Sequence, residues 1–216
     1  MKSLVAALLS LGFVTTAFAQ PARDASTTRE AYVAAAQSLQ TFQAMVTDQN
    51  FRQMGFATPA EAKIATLGHP LPVAMVQLDD LRAYRPGNDP AALLRDLHKM
   101  IFPVLVSNQV RSSITVERRD SHWQGTSFGA PRLAGMTESA RRASSSASGV
   151  APTSYVLVHV AALNRHYLGH RAGNRLILTT IVDDPVLKLP AGRDIPAADA
   201  FGALAPVAQQ HNGLPS

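Results

Sequence analysis

Between Met100 and Gly129 the side chains change character at every second position, and this alternation restricts the fold more than any other feature of the chain. Phe102, Val104 and Val106 fall on one side of an extended segment, and Val110, Ser112, Ile114 and Val116 fall on one side of the next. A period of two belongs to a β-strand, whose successive side chains point to opposite faces. Ser107-Asn108 and Asp120-Ser121 separate the runs. Asn and Asp tolerate the left-handed backbone that tight hairpins need. A third run, His122 to Phe128, carries the only tryptophan, and Gly125 inside it predicts a bulge or a close backbone approach. The expectation is a three-stranded antiparallel meander with one buried and one wet face. Arg111, Ser113, Thr115 and Glu117 alternate with the apolar set and are the expected ligand-binding face.

The remaining segments suggest what covers that meander. Thr27 to Arg52 predicts a long helix, with Thr27 and Glu30 as a capping box and Tyr32, Ala35, Leu39, Phe42 and Val46 as its apolar stripe. Thr58-Pro59-Ala60-Glu61 opens a short helix ending near Gly68. Leu71 to Leu78 predicts a strand, with Pro72 favouring an edge or a strand start. Asp89-Pro90 predicts a brief helix carrying Leu93, Leu94 and Leu97, and Pro131 to Arg142 a longer one with Leu133 and Met136 inward. Ser144 to Gly149 predicts a flexible loop. Tyr155 to Leu163 is apolar on both faces and predicts a central strand. His166 to His170 and Leu176 to Val182 predict further strands, and Pro196 to Ala205 a last helix.

Residues 59–84 and 131–167 echo each other: each runs from a helix into an apolar strand and ends on a tyrosine, Tyr84 or Tyr167. Phe128-Gly129 and Phe201-Gly202 each precede an Ala-rich segment. A duplicated α+β unit would explain both coincidences.

The first nineteen residues have the layout of a signal peptide: Lys2, an apolar run from Leu4 to Phe18, and a small-x-small site at Ala17-Phe18-Ala19. Cleavage leaves residues 20–216 as a single expected domain, periplasmic or secreted, and no later segment is long and apolar enough to span a membrane. Cysteine is absent, which excludes disulfides, thiol catalysis and a cysteine-linked lipid anchor. The formal charge of +5 is modest, and export argues against nucleic acid as the working partner.

Candidate chemistry is sparse. Gly125-Thr126-Ser127-Phe128-Gly129 spells G-x-S-x-G, the pattern of a nucleophilic serine on a sharp strand-to-helix turn, and Asp183 or Asp184 and then His211 would follow in triad order. The surrounding strands predict hairpins rather than the parallel sheet such hydrolases use. A polar strand end between glycines accounts for the motif equally well.

His159, His166 and His170 form the densest histidine group and are the candidate metal ligands. A basic, solvated hairpin is the plainer account. Asp79-Asp80, Asp183-Asp184 and Glu117 read as turn and surface carboxylates rather than an acid/base pair, and Arg118-Arg119 and Arg141-Arg142 as solvated charge. There is no phosphate-binding glycine loop, dinucleotide fingerprint or Cys/His metal motif, so no cofactor is expected.

The expected whole is an α+β protein with an antiparallel sheet of about six or seven strands packed against a long N-terminal helix and shorter helices. Its expected role is non-enzymatic: an exported accessory protein binding an unknown protein, peptide or small molecule. A hydrolase built on Ser127 and a histidine metal-binding protein are the alternatives.

Overall fold

The structure is a computed structural model and describes residues 25–212; the expected signal peptide lies outside them. Helix α1 (Ala25–Met45) leads, followed by α2 (Pro59–Lys63), β1 (Thr66–Leu67), β2 (Leu71–Val76) and α3 (Leu78–Ala83). The meander is β3 (Leu94–Val106), β4 (Gln109–Arg119) and β5 (His122–Gly129). Then come α4 (Pro131–Ser148), β6 (Val156–Val160), β7 (Arg165–Ala172), β8 (Arg175–Thr180), β9 (Asp194–Pro196) and α5 (Ala197–Gln210).

One mixed sheet of nine strands runs β5-β4-β3-β2-β6-β7-β8-β9, with β1 paired to β3 outside that path. Two features depart from the sequence expectation of six or seven antiparallel strands. The sheet gains short strands, β1 and β9. It also contains a parallel pair at its centre, β2 beside β6, with Val73 opposite Leu157 and Met75 opposite His159. The two segments that echo each other in sequence supply these two central strands. Every other pairing is antiparallel.

The meander forms as its alternation requires. Its reversals are two-residue turns with left-handed backbone at Ser107 and Asn108 (φ 50° and 62°) and at Asp120 and Ser121 (47° and 69°), the geometry that matches strand twist. It is longer than its sequence signal, because β3 starts at Leu94. Leu93, Leu94 and Leu97 are spaced like a helix, yet only Pro90–Leu93 forms a turn of 3-10 helix. Leu94 and Leu97 belong to the strand, where His98 (φ 52°) bulges out and the register to β2 shifts between Val73 and Ala74.

Three helices lie on one face. Alternation along β2 puts Val76 on the side of Pro72, whose partner is Met100, so two apolar clusters share this face. The first gathers Phe42 of α1 with Phe102, Val104, Ile114 and Val116. The second gathers Leu81 of α3 and Phe201 and Leu204 of α5 with Val158, Tyr167 and Leu178. Phe42 stacks on Phe128 with ring centroids 5.3 Å apart.

The stripe of α1 that docks is Ala31, Ala34, Ala35, Ser38 and Phe42, with Leu39 and Val46 partly buried against the same core; of the expected stripe only Tyr32 turns outward, 49% exposed with its ring edge to Phe102. Small side chains let the helix approach β5, and Gly125 is where it does so: a Cβ there would stand 2.2 Å from Ser38 Oγ. Gly125 is also the bulge, since the β4–β5 register shifts between Thr115 and Val116. The helix stops seven residues early because Asn50 folds back on it, donating from Nδ2 to Met45 O at 2.9 Å and accepting Thr47 N–H at 2.7 Å.

The opposite face is covered by α4, which the expected open face did not foresee. Ala140, Leu133 and Met136 of α4 pack with Leu71, Val73, Tyr155, Leu157, Leu168 and Ile181. The expected loop at Ser144–Gly149 is the last turn of this helix: Ser148 Oγ donates to Ser144 O at 2.7 Å, and Gly149 (φ 71°) closes it as a left-handed cap. No helix among the described residues is long and apolar enough to cross a membrane.

The contact at Gly125 is testable. Gly125→Ala should lower the unfolding free energy by about 1–3 kcal/mol, the cost of overpacking a filled interior. Ser38→Ala should relieve part of that loss, because the clash is chiefly with Oγ. Urea denaturation of the two single variants and the double variant measures the coupling; simple additivity would contradict the packing described.

Candidate functional site

A cavity of about 210 Å³ lies between α4 and the sheet. Its walls are mostly apolar: Leu71, Ile101, Pro103, Leu157 and Phe128 from the strands, and Leu133 and Ala134 from the helix. Four hydroxyls line it as well, Ser113 and Thr115 on β4, Ser127 on β5 and Thr137 on α4.

The cavity exists because α4 is hung from polar anchors. At its start, Gly129 (φ 111°) and Ala130 (φ 54°) turn the chain sharply out of β5, and Pro131 opens the helix. Ser113 Oγ donates to Gly129 O at 2.6 Å and fixes that corner. At mid-helix, Arg141 is 1% exposed. It donates to Glu138 (Nε to Oε2, 2.9 Å) and to the carbonyls of His69 (3.3 Å) and Pro70 (3.4 Å). A buried guanidinium is tolerable only when its donors are met. Here they tie the helix to the β1–β2 loop.

At the end of the helix, Tyr155 OH donates to Ser144 Oγ at 3.0 Å, and Ser144 Oγ to Asp194 Oδ1 at 3.3 Å. Asp194 also accepts from Thr179 Oγ1 at 2.6 Å. The expectation that Arg141-Arg142 forms a solvated run therefore fails at Arg141.

The structure divides the expected ligand-binding set. Ser113 (8% exposed) and Thr115 lie under α4 on the cavity wall. Glu117 lies apart and pairs with Lys99 at 3.8 Å and Arg119 at 3.0 Å. Arg111 reaches Glu61 of α2 at 2.9 Å. The α4 contribution to the cavity, Leu133, Ala134, Thr137, Glu138 and Arg141, was only partly readable: Leu133 and Met136 show helical spacing, but nothing in the sequence says which sheet face the helix crosses.

Ser127 also lines the cavity, but its expected triad partners are elsewhere. It sits within the β5 ladder opposite Thr115, two residues before the turn at Gly129, rather than on the turn itself. Asp184 is buried in another cluster, where it pairs with Arg165 at 2.8 Å and accepts from Tyr167 OH and from the backbone N–H groups of Val186 and Leu187. Burial pushes the Asp184 carboxyl up, yet these donors outweigh it and hold it below the usual carboxylate range. Burial, and then the hydrogen bond to Asp184, raise Tyr167 far above the usual tyrosine range. Asp183 accepts from Ala191 N–H at 2.8 Å, and His211 ends α5, where its carbonyl accepts from Arg82. Asp79 pairs with Arg82 and Asp80 with Arg95, at 2.9 and 3.2 Å.

The three candidate histidines separate into a pair and a single. His159 and His166 are cross-strand partners, with rings stacked 4.3 Å apart at 10°. His170 lies farther along β7 beyond Leu168, 3% exposed, against Tyr155 at 4.9 Å. Burial lowers the affinity of all three for protons. Lys99 depresses His159 further, and His159 adds to the effect on His166, which falls to about 4. No group of three or more His, Cys, Asp or Glu side chains able to hold a metal ion exists among the described residues.

Compared with protein-family models, with curated proteins and with solved structures, the chain matches none.

The depressed histidines fix a pH dependence. The unfolded histidine titrates near 6.5 and folded His166 near 4, so between those values the unfolded chain binds more protons and stability falls as pH falls. Urea midpoints at pH 7.5 and pH 4.5 should show this loss, and His166→Gln should shrink it. An unchanged pH dependence in the variant would contradict the burial of the imidazole.

Proposed function

We propose that this chain is an exported binding protein, periplasmic or secreted, which holds a small and mainly apolar ligand between α4 and the sheet and performs no covalent chemistry on it. The observation that carries this reading is the cavity of about 210 Å³, with its mostly apolar walls, its hydroxyls on Ser113, Thr115, Ser127 and Thr137, and a Glu138–Arg141 pair engaged with itself. Sites of this kind recognise the body of a ligand by burial and its orientation by a few polar groups. The volume suits a ligand of one or two rings or a short branched chain, below the common range of about 300–1,000 Å³.

The arrangement also supports the older shape of the chain suspected from its echoes. A helix precedes each of two four-strand runs, β2-β3-β4-β5 and β6-β7-β8-β9, as two copies of one α+β unit would have it. No side chain that would activate Ser127 lines the cavity beside it apart from Glu138, which is already engaged by Arg141.

1-Naphthol, an apolar bicycle with one hydroxyl, is a suitable probe. Calorimetric or fluorescence titration of the mature protein should give saturable binding at one site. Leu133→Trp, which fills the cavity from the helix side, should remove it, whereas Arg118→Ala at the end of β4 should not. Lack of saturable binding of naphthol-sized ligands, or full binding in Leu133→Trp, overturns the proposal.

A further inference from the structure

Beside α4, on the same face of the sheet, three soft or borderline donors stand in one row. The register sets Met75 of β2 opposite His159 of β6, and His159 opposite His166 of β7. Partners on neighbouring strands share a face and lie about 4.8 Å apart. All three side chains are half-buried. The two imidazoles already touch face to face, 4.3 Å between centroids. Histidine χ2 is a broad torsion, so a rotation of each ring turns a nitrogen of both toward one point above the strands, with the Met75 thioether adjoining.

The charges around the row select the ion. Met75, His159 and His166 contribute no negative charge, and among the described residues no third His, Cys, Asp or Glu completes a set with the pair. Lys99 acts on His159 with its positive charge, and the register sets Arg95 of β3 opposite Met75; each of these cations has its own carboxylate, Glu117 at 3.8 Å and Asp80 at 3.2 Å. A divalent ion here would have no anion among its ligands and meet twice the repulsion from Lys99 and Arg95 that a monovalent ion meets. Two imidazoles and a thioether are the donors that favour copper(I) over harder ions.

We propose that Met75, His159 and His166 form a copper(I) site. His170, the third candidate of the sequence, is no part of it, and Met75 takes its place. The site is independent of the cavity under α4, and either can exist without the other.

The test is anaerobic titration of the mature protein with copper(I) in competition with a chromophoric chelator. One equivalent should bind. His159→Ala and His166→Ala should each lose more than about 100-fold in affinity, beyond the 10–100-fold that outer-shell partners contribute. Met75→Leu, which conserves volume, should weaken copper(I) measurably, and His122→Ala on the meander should leave it unchanged.

In the wild-type protein, where no variant can misfold, one equivalent of copper(I) should shift the Met75 methyl resonance and the His159 and His166 ring resonances. It should also raise the melting temperature more than zinc(II) does. The proposal is overturned if no copper(I) is retained against the chelator, if the alanine variants bind as the wild type does, if the Met75 methyl resonance stays in place, or if zinc(II) stabilises more than copper(I).

Discussion

The parallel pairing of β2 with β6 governs the architecture. Parallel neighbours cannot be joined by a tight turn; the chain must leave the sheet and return across a face. Here it leaves β2 through α3, builds β3, β4 and β5 outward to one edge, and then must come back to the centre to start β6. Four strand spacings separate β5 from β6, about 19 Å at roughly 4.8 Å each. Helix α4 covers this distance: its 18 residues extend about 27 Å at 1.5 Å per residue. The second face of the sheet is covered because the topology sends a helix over it, and the first because α1, α3 and α5 dock there.

That crossing also divides the second face into two chemical regions. Under α4 lie Leu71, Leu157, Leu168 and the cavity; beside it lie Met75, Lys99, Glu117, His159 and His166, neither fully buried nor fully wet. Burial of the histidine pair disfavours its protonated form, seen in the depressed proton affinity of both rings.

Much of the fold was legible because local signals and tertiary contacts agree. The alternation in β4, the turn residues Asn108 and Asp120, and the bulge at Gly125 each mean the same thing locally and in the folded chain. Where they disagree, the sequence misleads. Ser144, Ser145, Ser146 and Ser148 are indifferent helix formers, yet Ser144, Ser145 and Ser148 find partners at the end of α4 and the helix continues. Leu93, Leu94 and Leu97 have helical spacing, but the bulge at His98 lets Leu94 and Leu97 serve a strand. Nothing local distinguishes a strand with a parallel neighbour from one with two antiparallel neighbours, so the central place of Val156–Val160 was legible but its parallel pairing with β2 was hidden. With it were hidden the route of α4, the cavity, and the adjacency of Met75 to the histidines.

The persistence of the cavity follows from the kind of force that holds α4. Apolar contact is non-directional, and a helix held by it alone would settle onto the sheet until the space was filled. Hydrogen bonds set distances and angles. Helix α4 is fixed by Ser113 at the Gly129 corner, by Arg141 on the carbonyls of His69 and Pro70, and by Ser144 on Asp194. The cavity walls Leu133, Ala134 and Thr137 fall between the first and second anchors. Over that span the helix cannot descend without breaking the contacts of a buried guanidinium, a loss costing about 3–5 kcal/mol when one partner of a buried charge is removed. The polar anchors hold the roof above the sheet at a height that the apolar side chains beneath it do not fill.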